Sequence, residues 1–396
     1  MIKRSFITII TISLLFFSCK KEETNQNNVQ LSVIQKINNQ YDYFYPEINK
    51  SINQKRFIPR SIHHDSLKLV SAFDWTSGFY PGTLWNIYKL TNDKKWQERA
   101  KIYTEKLSKI QYWEGNHDVG FIIECSYGNG IKYGDLHLYD SIIVNTAKAL
   151  STRFKPKAGI IQSWNANKKW NCPVIIDNMM NLELLFHATK ISGDSTYYNI
   201  ATTHANTTIK NHFRSDYSSF HVIDYDSETG DIIQKKTHQG FKDNSSWARG
   251  QSWGLYGYTM CFRETKNQTY LQQAMAIANY IINNKNIPTD KIPLWDYNAP
   301  KSKETPRDAS AAAITASALF ELHKYVDEEN STKYLNYAND IMSSLASKEY
   351  FADYKTNEGF ILKHSVGSIP HGTEIDAPLN YADYYYTEAL IREQSL

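Results

Sequence analysis

The chain has almost no charge of either sign to spare. Its 44 basic and 41 acidic residues among 396 leave a formal net charge of +3. A nucleic-acid binder needs a concentrated basic surface, and that class is excluded. Cysteine is scarce: Cys19, Cys125, Cys172 and Cys261 contain no C-x-x-C pair. Setting Cys19 aside, for the reason given below, leaves an odd three with no histidine at metal-ligand spacing. A disulfide framework and a zinc site are therefore excluded, and no metal is expected. There is no glycine-rich phosphate loop and no G-x-S-x-G elbow, so no cofactor is expected either. What the chain does have is aromatic rings: 28 Tyr, 17 Phe and 9 Trp, or 14%. Rings with polar tips suit a carbohydrate cleft, and they equally suit Tyr-rich helix packing. With 41% hydrophobic and 21% charged residues, disorder is excluded for most of the length.

The N-terminus reads as an export signal. Lys3 and Arg4 precede an apolar run from Ser5 to Phe17. As a helix that run spans only ~20 Å against a hydrocarbon core of ~30 Å, too short for a membrane span. It fits a signal-peptide core. Phe16-Phe17-Ser18-Cys19 resembles a bacterial lipobox with Cys19 as the lipidated residue, which makes residues 1–18 the signal peptide. The paired phenylalanines depart from the usual pattern, and cleavage at another site is the other reading. Residues 19–30 are polar and form a tether. The expected location is the periplasm or outer membrane, through a lipid on Cys19.

From residue 31 onward, helix-period patterns alternate with short polar breaks. Four segments share an aromatic-x-x-x-Ala frame: Trp96/Ala100, Tyr197/Ala201, Tyr270/Ala274 and Tyr334/Ala338. Each follows a strongly apolar segment and opens a more amphipathic one, the pattern of a helical hairpin. The long first interval, 101 residues, accommodates a further copy around Tyr139 to Ala149. A repeat of roughly 60 residues gives about six hairpins, which close into an all-α (α/α)6 barrel; an open solenoid is the alternative.

Four polar-aromatic clusters interrupt the packing, beginning at Asp74, Asn116, Ile176 and Ser245. Each stands just ahead of an apolar helix, so a closed ring brings all four to one mouth. Asp118 and Asp177 are 59 residues apart, about one hairpin, which puts them on neighbouring inner helices. Two carboxylates in one pocket split their pKa values, leaving one protonated as a general acid. For Asp177 the structural alternative is a helix N-cap. Arg249, between Trp247 and Trp253, suits a sugar carboxylate, and a structural ion pair is the competing role.

These clusters resemble the unsaturated glucuronyl hydrolases, glycoside hydrolase family 88. The matching stretches are WTSGFYPGTLW (75–85), HDVGFIIECSYGNG (117–130), IIDNMMNLELLFHATKISGD (175–194), WARGQSWGLYGYTMCFRET (247–265), DASAAAITASAL (308–319) and GTEIDAPLNYADYYYTEAL (372–390). The resemblance implies an (α/α)6 barrel over residues 31–396. It implies exo-acting hydrolysis of oligosaccharides that end in a 4,5-unsaturated uronic acid, the product of polysaccharide lyases. It makes Asp177 the proton donor and Asp118 the second carboxylate, often labelled nucleophile. It places His221, Gln239, Trp247, Arg249 and Trp253 around the unsaturated sugar. Some members that act on sulfated glycosaminoglycans carry Ser-x-x-Ser-x-Lys near the C-terminus. Here the stretch Ser365-Val366-Gly367-Ser368-Ile369-Pro370 lacks the Lys, which brings ulvan or another uronate polysaccharide into play as the parent polymer. An unsaturated rhamnogalacturonyl hydrolase and a non-catalytic glycan-binding lipoprotein are the rival readings.

Overall fold

The computed structural model describes residue 30 and residues 32–396. Cys19 and the expected signal peptide lie outside the described residues. Among the described residues, twelve helices alternate between two concentric rings. The outer ring holds α1 (residues 32–49), α3 (Lys94–Glu105), α5 (Asp140–Ser151), α7 (Ser195–His212), α9 (Gln268–Ile282) and α11 (Glu328–Leu345). The inner ring holds α2 (Phe79–Thr91), α4 (119–134), α6 (Leu182–Ser192), α8 (Ala248–Thr265), α10 (Ala309–Leu322) and α12 (Asn380–Glu393). A π-turn, Glu124–Gly128, runs through the middle of α4. Each inner helix packs on the next, and α12 packs back on α2. The ring is closed, and the open solenoid is excluded.

Local chemistry sets the hairpins. Inner helices α2, α6 and α8 end on left-handed residues: Asn92 (φ 54°), Gly193 (φ 73°) and Lys266 (φ 57°). The next residue in each case caps the outer helix. Asp93 accepts from the Lys95 N–H (3.0 Å), Asp194 from Thr196 (2.8 Å) and Asn267 from Thr269 (3.0 Å). Asp327 does the same for α11 through Asn330 (3.0 Å). The repeating aromatic/Ala pairs follow these caps, one turn apart, and all are buried on the inner-facing side of their outer helices. Each buried ring contributes ~1.5–3 kcal/mol of transfer free energy. Every residue of α10 is buried, as its Ala-rich sequence anticipates.

Links from inner to outer helices are short, whereas links from outer to inner helices are long. All nine short strands lie in the long links. Loops that carry side chains for chemistry therefore crown a single rim, the one where the inner helices begin. At the opposite rim, Arg263 pairs with Glu183, Glu264 and Glu321, and Arg392 pairs with Glu321 (2.9 Å). Burial opposes ionisation of Glu321, but the two arginines outweigh it and hold its carboxyl at about 2.

Candidate active site

Asp118 and Asp177 meet at the rim where the inner helices begin. Asp118 occupies the N-cap position of α4, yet its side chain makes no capping bond. Asp177 sits inside the 3-10 turn Ile176–Asn181 that leads into α6, and it caps nothing either. Neither residue owes its place to helix capping. Asp308, at the start of α10, shows what a capping aspartate looks like here: its Oδ1 accepts the Ser310 N–H at 3.1 Å.

Burial pushes both carboxyls up to about 7. At Asp118 a hydrogen bond from Asn181 opposes the rise and the charge of Asp74 adds to it. At Asp177 the Arg249 cation opposes it and the charge of Asp118 adds to it. A raised value alone does not mark catalysis. Asp383 is also raised to about 7 by burial, but its oxygens are fully engaged by the Ile361 N–H (2.8 Å), the Leu362 N–H (2.9 Å) and the Tyr41 hydroxyl (3.0 Å). Asp177 Oδ2, by contrast, is buried without a hydrogen-bond partner.

Two histidines stand against the pair, and their protonation is set by geometry. His221 Nδ1 accepts the backbone N–H groups of His238 and Gln239, both at 3.0 Å. Its proton therefore sits on Nε2, 3.8 Å from Asp177 Oδ2. Burial, with the nearby His238 and Arg249 charges, keeps the ring neutral well below the usual imidazole range. His117 Nε2 lies 3.3 Å from Asp118 Oδ1, and burial lowers that imidazole to about 3. Asn181 sets the second tautomer. Its Oδ1 accepts the Phe121 N–H (2.9 Å), so its amide nitrogen faces His117 Nδ1 (3.3 Å). Gly120 allows this approach, since a Cβ there would lie 2.5 Å from Asn181 Oδ1.

Trp247 stacks on His221 with ring centroids 4.6 Å apart. Trp253 packs between Phe121 (5.1 Å) and Tyr385 (5.3 Å), and its buried Nε1 has no hydrogen-bond partner. Trp253, whose side chain eases the rise of the Asp177 carboxyl as a donor, and His221 Nε2, 3.8 Å from Asp177 Oδ2, both bear on that carboxyl. None of the three atoms is held at full hydrogen-bond geometry, the usual mark of a functional pocket. Gln239 reaches the Gly367 carbonyl (3.2 Å). Arg249 is fully buried and pairs with Asp308 (3.1 Å), the Val366 carbonyl and the Gly367 carbonyl (2.8 Å). It thus anchors the strand β8 (Ser365–Ser368) and bears on Asp177 through its charge, while its Nε has no hydrogen-bond partner.

Above Asp177, His238 lies between Trp164 (5.4 Å) and His371 (4.4 Å), and His371 Nδ1 is bonded to the Ser368 hydroxyl (2.7 Å). The carboxyls are consequently only 7–9% exposed. The sequence reading missed His117, Asn181, His238 and His371 as site residues. His117 and Asn181 each adjoin a catalytic candidate in the matching stretches; His238 and His371 carried no such signal. A cavity of about 400 Å³, lined by Glu124, Lys132, Glu183, Arg263 and Arg392, reaches Gly120 and Phe121 beside the site but includes neither aspartate.

A twelve-helix toroid with two raised carboxyls and ring-lined walls at one mouth defines a glycan-acting hydrolase of the (α/α)6 class. The chain belongs to the unsaturated glucuronyl hydrolases. It is 45% identical over 98% of its length to the unsaturated glucuronyl hydrolase of Formosa agariphila, covering 98% of that protein. It is 32% identical to the unsaturated glucuronyl hydrolase of Bacillus sp. strain GL1, over 81% of this chain and 86% of that one. Among solved structures, an unsaturated glucuronyl hydrolase specific for heparin superposes with a TM-score of 0.86 at 45% identity, covering 92% of this chain and 97% of that one. No protein-family model matches the chain. The enzyme is a glycoside hydrolase that removes unsaturated uronic acid from oligosaccharides, and the non-catalytic and rhamnogalacturonyl readings fall away.

Proposed function

We propose that the enzyme releases the terminal 4,5-unsaturated uronic acid by hydrating a vinyl ether, with Asp177 as proton donor and Asp118 as its electrostatic partner. The observation that carries this assignment is the unengaged Asp177 Oδ2 facing His221 Nε2 in a buried pocket. In the substrate, C5 bears both the alkene and the ring oxygen. A proton from Asp177 to C4 leaves oxocarbenium character at C5, and water adds there. The conjugate base of Asp177 takes the proton of that water. The resulting hemiketal opens, and the aglycone departs without attack at the anomeric carbon. Asp118, whose charge raises the Asp177 carboxyl, keeps the proton available near neutral pH. Two carboxylates of a conventional glycosidase act at C1 instead.

Turnover in heavy water is expected to place deuterium at C4, and turnover in ¹⁸O-labelled water to place the label at C5; mass spectrometry of the released sugar reads both. Saturated glucuronides are expected to be inert. Rapid cleavage of a saturated glucuronide, or label at C1 alone, refutes the hydration route.

The substrates are the ends left by polysaccharide lyases, and that reading rests on the alkene itself, which lyases create. The lipobox-like Phe16–Cys19 supports a lipid anchor on an exported enzyme. Among the described residues no helix is long and apolar enough to cross a membrane. Cys19→Ala should move the enzyme from the membrane to the soluble fraction with specific activity unchanged; continued membrane partition would end the lipoprotein reading.

A further inference from the structure

The cluster around Asp74 stood out in the sequence, yet the mechanism above gives it no task. Arg60, in β1 (Ile58–His63), donates from Nη1 to both oxygens of Asp74 (3.0 and 2.8 Å). The same guanidinium donates from Nε and Nη2 to Glu374 (2.6 and 2.9 Å), and Lys68 adds a third bond to Glu374 (2.9 Å). The Glu374 side chain is only 3% exposed. One guanidinium thus holds two carboxylates, each in a two-bond contact, and it joins two separate parts of the mouth.

On one side lies Asp118. Asp74 Oδ1 accepts the N–H and hydroxyl of Thr76 (3.0 and 2.7 Å), fixing the turn into α2. That turn sits directly on α4: a Cβ on Gly78 would lie 2.3 Å from the Ile122 carbonyl, and Trp75 packs edge-on to Phe121 at 5.9 Å. On the other side lies the anchor of Arg249. Glu374, in β9 (Thr373–Ala377), sits against Gly367, where a Cβ would meet its Oε2 at 2.5 Å. The Gly367 carbonyl is the acceptor for Arg249 and Gln239.

We propose that Arg60 and Asp74 are positioning residues for the hydrolytic reaction: the guanidinium clasps the turn beside Asp118 to the strand that seats Arg249 beside Asp177. The proposal deepens the assignment of the two catalytic carboxyls and rests on it. The charged and titratable groups that face Asp118 are His117, Arg153, Asp74 and Asp177; those facing Asp177 are His221, Arg249 and Asp118. Arg60 faces Asp74, Glu374 and Tyr381. Asp74 is therefore a charge that only Arg60 neutralises directly, and the two residues push the catalytic pair in opposite directions.

That opposition supplies the test. The pH dependence of kcat/KM is measured on an unsaturated disaccharide for the wild type, Asp74→Asn and Arg60→Gln. Activity needs a protonated Asp177, so the wild type has an alkaline limb. Asp74→Asn removes a negative charge that raises the Asp118 carboxyl, so Asp118 ionises more fully beside Asp177 and the limb should move to higher pH. Arg60→Gln uncovers the Asp74 charge, keeps Asp118 protonated for longer and should move the limb to lower pH. Arg60→Lys, which keeps the charge but loses the double fork, should restore the limb while kcat/KM stays reduced. Glu374→Gln frees the strand without altering the charge beside Asp118, so it should raise KM at an unmoved limb; it also serves if Arg60→Gln fails to fold. A purely structural salt bridge would lower activity with every limb in place. Unmoved limbs, or shifts of the same sign in Asp74→Asn and Arg60→Gln, overturn the proposal. Full activity in Asp177→Asn would instead overturn the assignment of the catalytic pair, a separate result.

Discussion

Asp177→Asn should cut kcat by ~10²–10⁴, the contribution of a positioned general acid, and should also make the protein more stable. The second half follows from the sign of the pKa shift. In the unfolded chain this carboxyl ionises near 4, whereas in the fold burial holds it up to about 7. The folded state keeps a proton that the unfolded state gives up, so stability declines as pH rises between those values. Asparagine cannot ionise and removes that decline. Thermal melting at neutral pH should show a raised midpoint beside the lost turnover. Wild-type turnover in the variant would strip Asp177 of its role. A lowered midpoint would show that the carboxyl is held for structure, as Asp383 is.

Glu321→Gln should do the reverse: a large loss of stability with turnover per folded molecule retained. Glu321 is 7% exposed, accepts bonds from Arg263 (3.1 and 3.0 Å) and forms an ion pair with Arg392 (2.9 Å) at the rim opposite the chemistry. Removing one partner from a buried ionic cluster leaves the others uncompensated, at a cost of ~3–5 kcal/mol. Urea unfolding should show a lower midpoint with an unchanged slope. Here the folded pKa is depressed, so the stabilisation is complete above ~4.5 and is lost as pH falls toward about 2. The variant's stability should therefore fall less steeply on acidification. A midpoint equal to wild type would mean that the cluster merely decorates the rim.

The architecture was legible because its signals are local. The aromatic/Ala pairs recur at the pitch of a helix, and Asp or Asn caps sit where the hairpins turn. The nearness of Asp118 and Asp177 was legible through spacing, since one hairpin separates neighbouring inner helices; their roles came from the resemblance. Arg249 shows where such reading stops: its flanking tryptophans, Trp247 and Trp253, stand out in the sequence, but its protein partners, Asp308, Val366 and Gly367, come from links 59 to 118 residues away. No periodicity reports a contact of that kind. His238 and His371 escaped for the same reason: isolated in sequence, they meet only when two long links fold over one mouth. His117 was in view but without a role, because its proton position depends on which way the Asn181 amide points.

The closed ring has a thermodynamic consequence. A linear helical array needs special end repeats to cover the apolar faces of its first and last units. Here α12 packs on α2, and the Gln30 side chain donates to Glu393 at 2.9 Å, so the two ends of the described ring adjoin and no unit of it is terminal. Every hairpin has two neighbours, and removing any one exposes two interfaces at once. Partial unfolding from an end, the usual route for a repeat array, has nowhere to begin. The same adjacency makes the break point arbitrary. Joining residues 30 and 393 and opening the chain at a far-rim turn, such as 193–194, leaves the rim that bears Asp118 and Asp177 intact.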